Sequence, residues 1–250
     1  MTMEVEFSVV IPARYGSSRL PGKPLADIHG RPMIAWVHER AVQSGAADTI
    51  VATDDERIVE ACANFGARAI LTRSDHHSGT DRIAEVADRL GWEDERIVVN
   101  VQGDEPQIPP ALIAQAARLA KAQPNAAIAT LVTPMVVDAG HNNPNFVKVV
   151  VDRNHRALYF SRAPIPWPRD ASTSRSYRHV GIYAYRVAAL RALTAAGVCA
   201  LEDVERLEQL RALWLGLDIV VAEAAELPPA GVDTQEDLEA ARRRLRVCDE

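Results

Sequence analysis

FSVVIPARYGSSRLPGKPL, residues 7–25, begins as an apolar run of strand length and breaks into a loop carrying Arg14, Arg19 and Lys23 among three prolines. The segment after it, PMIAWVHERAVQSG (32–45), has helical period, with Pro32 suited to a first helical position and Gly45 to a C-cap. The rhythm continues through TIVATD (49–54), ERIVEACANFG (56–66), ARAILT (67–72), TDRIAEVADRLG (80–91), RIVVNVQGDEP (96–106) and PALIAQAARLAKAQ (110–123). Strand and helix alternating in this way predict an α/β fold, a mostly parallel sheet with helices on both faces. Such sheets bind ligands beyond the carboxyl ends of their strands, so the loops at 12–24, 54–55, 73–79 and 102–106 are expected to share one rim.

Beyond residue 124 the pattern changes. AIATLVT, FVKVVVD, ALYF and HVGIYAYR are strand-like in succession, which predicts an antiparallel excursion over about 125–186, a lid or a dimerisation arm. The polar stretch RDASTSRS (169–176) reads as a mobile loop. A helix over 201–216, a strand over 217–224 and a last helix capped at Thr234, with Asp237 three residues on, complete the chain. No internal repeat interrupts residues 1–250, which read as one domain.

The chain has 250 residues and a net charge of -6, so no general basic field draws nucleic acid, and an acidic substrate needs local Arg and Lys. The start MTMEVEFSVVIPA lacks a leader pattern, and no stretch reaches membrane-spanning length. A soluble, cytoplasmic protein without membrane insertion is expected. Cys62, Cys199 and Cys248 are odd in number and lack metal-ligand spacing; the first two read as small core residues and the third as a tail thiol.

The opening loop invites comparison with a P-loop, but five residues separate Gly16 from Gly22 instead of four, and Pro24 follows Lys23 where Ser or Thr is needed. The G-x-G-x-x-G dinucleotide fingerprint is absent too. What remains is a strand end followed by Arg14, Arg19 and Lys23, with Gly16, Ser17, Ser18 and Gly22 small enough to let backbone N–H groups approach an anion. A triphosphate cradle and a solvated basic turn both fit that composition. In VNVQGDEP (99–106) an apolar strand ends in Gln102, Gly103, Asp104 and Glu105; a carboxylate there suits Mg²⁺ beside phosphates, and equally an acidic turn. Ser78, Gly79 and Thr80 lead into a helix whose N–H groups could receive an oxyanion. Arg82 opposes the dipole in that helix's first turn, which hints at an anionic partner unless Asp81 or Glu85 satisfies it. His76 and His77 are adjacent and make a poor metal pair. Strand alternation places His179, Gly181 and Tyr183 on one face, with Val180 and Ile182 on the other. On the 201–216 helix Leu207, Leu210 and Trp214 form a stripe with Glu208 and Gln209 beside it.

PARYGSSRLPGKPL, DHHSGTDR, VNVQGDEP, LYFSRAPIPW, HVGIYAYR, LEQLRALW and GVDTQEDL, in this order over nearly the whole chain, resemble the 3-deoxy-manno-octulosonate cytidylyltransferases. One such motif would indicate only the wider sugar nucleotidyltransferases. The resemblance implies a Rossmann-like nucleotidyltransferase fold and a Mg²⁺-dependent reaction of CTP with 3-deoxy-manno-octulosonate (Kdo) for lipopolysaccharide synthesis, in a homodimer. It implies that Arg14, Ser17, Arg19 and Lys23 hold the triphosphate, that Ser78 and Gln102 lie near the nucleoside, and that Asp104 and Asp233 ligate Mg²⁺. It further implies that Arg82, Arg162, His179, Tyr183, Glu208 and Gln209 line a Kdo pocket. Two rivals remain: a cytidylyltransferase for another acidic sugar, and a catalytically silent nucleotide-binding regulator.

Overall fold

Val9, Val10 and Ile11 are wholly shielded from solvent, and the strand they build, β1 (Ser8–Ala13), is the axis of the molecule. The structure, a computed structural model, describes residues 5–17, 19–136, 141–169 and 175–245. A strand with apolar residues at successive positions must be covered on both faces. Val9 and Ile11 enter a core closed by α1 (Met33–Gln43), α2 (Glu56–Asn64) and α4 (Pro110–Ala122), whereas Val10 enters a second core closed by α3 (Gly79–Arg89). β1 pairs in parallel with β4 (Asp48–Thr53) and β6 (Ile97–Asn100), and β5 (Arg68–Leu71) lies in parallel outside β4.

Through β7 (Ile128–Val136), β10 (Arg175–Arg186) and β11 (Ile219–Glu223) the sheet reads β11-β7-β10-β6-β1-β4-β5, and β10 alone runs against its neighbours. The expected mostly parallel sheet is therefore present. β8 (Lys148–Val151) pairs with β10, and β9 (Ala157–Ser161) pairs with β8, both antiparallel. Within 125–186, β7 thus belongs to the parallel path, and the antiparallel part comprises β8, β9 and β10. The register of β10 shifts between Val180 and Tyr183, so one end serves the antiparallel pair and the other the central sheet.

Several local features differ from expectation. The helix expected over 201–216 is two: α6 (Ala200–Glu205) and α7 (Leu210–Trp214), separated by Arg206 at φ 53°. The last-turn carbonyl of Glu205 accepts from Arg162 Nε at 2.8 Å, which draws it out of the helical ladder. The apolar stripe does not survive the break: Leu207 and Leu210 are buried, while Trp214 is exposed. A further helix, α5 (Val187–Ala195), follows β10 directly, with no Gly or Pro to mark the change. A short hairpin of β2 (Asp27–Ile28) and β3 (Arg31–Pro32) turns at His29 and Gly30, both at positive φ, and makes Pro32 the N-cap of α1 instead of its first residue. The last helix, α8 (Gln235–Arg244), starts at Thr234 with the expected reciprocal cap to Asp237. Cys62 and Cys199 are buried and free. Cys248 and residues 170–174 of the expected mobile loop lie outside the described residues, and Ser176 already belongs to β10. No helix among the described residues is long and apolar enough to cross a membrane.

Candidate active site

Where β1 ends, the chain must turn away from the sheet, and Pro12 and Ala13 deliver Arg14 to its carboxyl edge. The Gly22 N–H closes the loop by donating to Tyr15 O at 3.2 Å. Gly22 itself adopts φ 69°, open to glycine at little cost, and caps a single 3-10 turn, Lys23–Leu25. Lys23 is thereby aimed at the end of β6. Its Nζ donates to Asp104 Oδ2 at 2.6 Å and to Asp233 Oδ1 at 3.1 Å, and Arg19 lies 3.2 Å from the other oxygen of Asp233. Lys23 is largely buried (14% exposed), whereas Arg19 is open to solvent (65%). The two loops approach closely because position 103 is Gly: a Cβ there would meet Pro12 O at 2.9 Å.

Glu105, the second carboxylate at this strand end, stands apart from Asp104 in its charge. Glu105 is pushed up to about 8 by burial and then by the Asp104 charge, so its carboxyl is held protonated near neutrality. Gln102 leans back along the strand end, its Nε2 donating to Asn100 Oδ1 at 3.2 Å.

A third side of the site is the start of α3. Ser78 caps this helix reciprocally with Asp81, and its hydroxyl donates to Glu208 Oε1 at 2.8 Å. Burial raises Glu208 above the usual carboxylate range, while the hydroxyls of Ser78 and Thr80 pull it back. Arg82 is buried, and its partner is neither Asp81, which is spent on the cap, nor Glu85, which pairs with His76 and Arg89. Instead Arg82 reaches Asp54, at the end of β4, at 2.8 Å and also donates to Thr72 Oγ1 and Arg73 O. Asp54 lies in one of the expected rim loops, but nothing local in the sequence marks the pairing.

These groups enclose one cavity of about 410 Å³, lined among others by Arg14, Ser17, Arg19, Lys23, Ser78, Arg82, Gln102, Asp104, Glu208 and Asp233. Of the loops expected to share a rim, 12–24, 73–79 and 102–106 line the cavity, whereas 54–55 reaches it only through the bond of Asp54 to Arg82. Arg162, His179, Tyr183 and Gln209 are not in its wall. Arg162 follows β9, where its backbone N–H donates to Glu205 Oε2 at 2.9 Å and its guanidinium to the carbonyls of Glu205 (2.8 Å) and Pro144 (3.0 Å). Glu205, the anchor of this arrangement, went unnoticed in the sequence because Ser161 and Arg162 reach it across more than forty residues. On β10, His179 packs edge-on to Phe160 and 5.2 Å from the ring of Tyr183, across the shifted register, while Val180 and Ile182 face the opposite core as alternation predicts. Burial, then the charge of Arg178, pushes His179 down to about 3, and burial also raises Tyr183 well above its ordinary value. Gln209 is buried with its Nε2 unpaired.

Three cations facing two carboxylates around one cavity can bind a polyphosphate together with a divalent ion. Among the described residues no cluster of three or more His, Cys, Asp or Glu could hold a metal alone. Residues 8–219 match the family model described as cytidylyltransferase. A 3-deoxy-manno-octulosonate cytidylyltransferase of Pseudomonas syringae pv. syringae is 56% identical, covering 97% of this chain and 99% of its own. Enzymes of the same name from Pseudomonas fluorescens (57% identical, 98% and 100% covered) and Halorhodospira halophila (54%, 96% and 97%) are similar over comparable spans. Among solved structures, CMP:2-keto-3-deoxy-manno-octonic acid synthetase complexed with CTP superposes with a TM-score of 0.89 at 46% identity, over 96% of this chain and 98% of that one.

Proposed function

The chain belongs to the 3-deoxy-manno-octulosonate cytidylyltransferase family, and on that premise we propose how its own residues carry the reaction. It transfers the cytidylyl group of CTP to Kdo, giving CMP-Kdo and pyrophosphate. The observation that carries the assignment of residues is the cavity in which Arg14, Arg19 and Lys23 face Asp104 and Asp233.

The substrates are both anions, and the protein is itself acidic at -6. Their repulsion has to be offset locally, and the cationic loop after β1 does this. The anomeric hydroxyl oxygen of Kdo forms a bond to the α-phosphorus as the bond to the departing pyrophosphate breaks, and the hydroxyl proton passes to solvent. Charge grows on the phosphoryl oxygens and on pyrophosphate, where Lys23, Arg14 and Arg19 stabilise it. Ser17 supports the loop by accepting from Leu20 N at 3.3 Å, and Ser78 and Gln102 flank the nucleoside. No enzyme nucleophile is required, since positioning and charge supply most of the rate in phosphoryl transfer.

The carboxylates of Asp104 and Asp233 suit Mg²⁺. Both approach a single cation, the Lys23 ammonium, at 2.6 and 3.1 Å, and Mg²⁺ takes one or two carboxylates together with phosphate oxygens and water. When bound it would supply Lewis-acid stabilisation of the phosphates. On the sugar side, Arg82 and Glu208 reach the cavity wall, and Arg162, His179, Tyr183 and Gln209 extend the Kdo pocket towards β9 and β10. Leu158 and Trp167, at 61% and 75% exposed on and just after the outer strand β9, support a homodimer formed there. Sedimentation of wild type against Trp167→Asp tests it. We assign the reaction to the bacterial cytoplasm, at the entry to lipopolysaccharide synthesis.

Pyrophosphate release with CTP and, in turn, Kdo, a sialic acid and sugar phosphates tests the substrate. Turnover with Kdo alone is expected, turnover with another acidic sugar would move the chain to a different branch, and CTP binding without turnover would make it a regulator.

A further inference from the structure

Arg14 and Arg19 lie outside regular structure, between Ala13 and the 3-10 turn that Lys23 opens, so something outside the cavity has to fix them. The chain is pinched at its two ends, where the Gly22 N–H donates to Tyr15 O at 3.2 Å. The phenol ring of Tyr15 packs on the core beneath the loop and touches Gly22: a Cβ built there would lie 3.2 Å from the ring. The same ring carries the Arg57 guanidinium, whose central carbon is 3.4 Å from the ring centroid. Arg57 in turn is forked onto Asp55, Nε to Oδ1 at 2.9 Å and the terminal nitrogen to Oδ2 at 2.6 Å. Asp55 also caps α2 by accepting from Arg57 N. The loop is thus tied, through one aromatic ring, to the start of a helix. None of Tyr15, Gly22, Asp55 and Arg57 lines the cavity, yet the direct neighbours of Tyr15 and Gly22, Arg14 and Lys23, both do.

We infer that Tyr15, held between Gly22 and Arg57, is a positioning residue that fixes the cationic loop for the triphosphate of CTP and leaves Kdo binding untouched. The inference rests on reading the loop as the triphosphate site. Its basis is geometric: Arg14 and Lys23 reach the cavity from backbone whose course Tyr15 sets at both ends, whereas the groups assigned to Kdo come from α3, β9, β10 and the start of α7. A guanidinium on a ring face gains from the ring's negative centre, and Asp55 holds one edge of Arg57 through two parallel bonds. The contact needs the ring and not the hydroxyl.

The test measures CTP binding by calorimetry, KM for each substrate and the melting temperature for Tyr15→Ala, Tyr15→Phe and Arg57→Ala, with Arg19→Ala as reference. Tyr15→Ala is expected to weaken CTP binding about tenfold, since small misplacements of binding groups are costly. KM for Kdo should stay as in wild type, Tyr15→Phe should restore CTP binding, and Arg57→Ala should weaken it in the same direction. Arg57 is 58% exposed, so its variant folds even where Tyr15→Ala does not. Unchanged CTP binding in Arg57→Ala, equal losses for both substrates in Tyr15→Ala, or failure of Tyr15→Phe to restore binding would each overturn the inference. If Arg19→Ala weakens CTP binding and the Tyr15 and Arg57 variants do not, only the clasp is wrong. If Arg19→Ala also leaves it unchanged, the reading of the loop as the triphosphate site fails, and the inference with it.

Discussion

The two sides of the site hold their polar groups in opposite ways. Around Lys23, charged side chains are paired with one another and partly open to water, with Asp104 at 31% and Asp233 at 49% exposed. Around Arg162 and His179, polar groups are committed to backbone carbonyls, a hydroxyl and packed rings. Partners that face solvent and other side chains can be exchanged when a ligand arrives. Groups whose partners are backbone carbonyls, as those of Arg162 are, hold separate segments of the chain together, so exchanging them disturbs the fold itself. The Lys23 side is therefore adaptable and the Arg162 side preformed, and substitutions should separate activity from stability accordingly.

The sharpest break of this comparison is at Lys23. Lys23→Ala should lower kcat by about a hundredfold or more, the scale of losing one charge stabiliser at a transition state, with the melting temperature nearly unchanged. A variant that unfolds early, or turns over normally, would place Lys23 with the preformed side. Next come the carboxylates: Asp104→Asn and Asp233→Asn should each raise the Mg²⁺ concentration for half-maximal rate about tenfold, since each removes one of two charged ligands. Superimposable metal titrations in both variants would remove them as ligands.

On the distal side the effect should reverse. Glu205→Gln loses part of the anchor for Ser161 and Arg162, and should cost about 1–2 kcal/mol in urea unfolding before any effect on CTP binding is seen. The smallest effect concerns pH. His179 is held neutral, about 3 against an ordinary 6.5, so only the unfolded chain takes up the proton as the pH drops below 6.5. The stability it contributes is complete above pH 6.5 and is lost from there towards 3. His179→Gln should flatten the fall in stability between pH 6.5 and 5, and an identical slope in wild type and variant would mean that the ring is protonated in the fold.

The same contrast explains what could be read from the sequence. Alternating strands and helices are local periodicities, and the capping of Thr234 by Asp237 spans three residues, so both were legible, whereas the equally local cap of Ser78 by Asp81 was hidden because Asp81 also offered itself as a partner for Arg82. The rim followed from topology, since every loop leaving a parallel strand at its carboxyl end emerges on one edge. Arg82 with Asp54, and Arg162 with Glu205, are pairings over 28 and 43 residues that no spacing announces. The helix breaks at Arg206, where Arg162, just past β9, takes the Glu205 carbonyl, and α5 begins without a punctuating residue. The sequence showed which chemistry was present on the distal side, and tertiary packing determined which partners it was given.

One small feature bears on how far such a site can drift. With Pro12 O 2.9 Å from where a Cβ on Gly103 would stand, backbone lies against backbone between the root of the cationic loop and the root of Asp104. Side chains around it can be exchanged for others of different length, and selection can retune either loop. The gauge between them has no adjustable part: any side chain added at position 103 would push the cations and the carboxylate apart together, so that variation in this enzyme has to be written around a fixed interval.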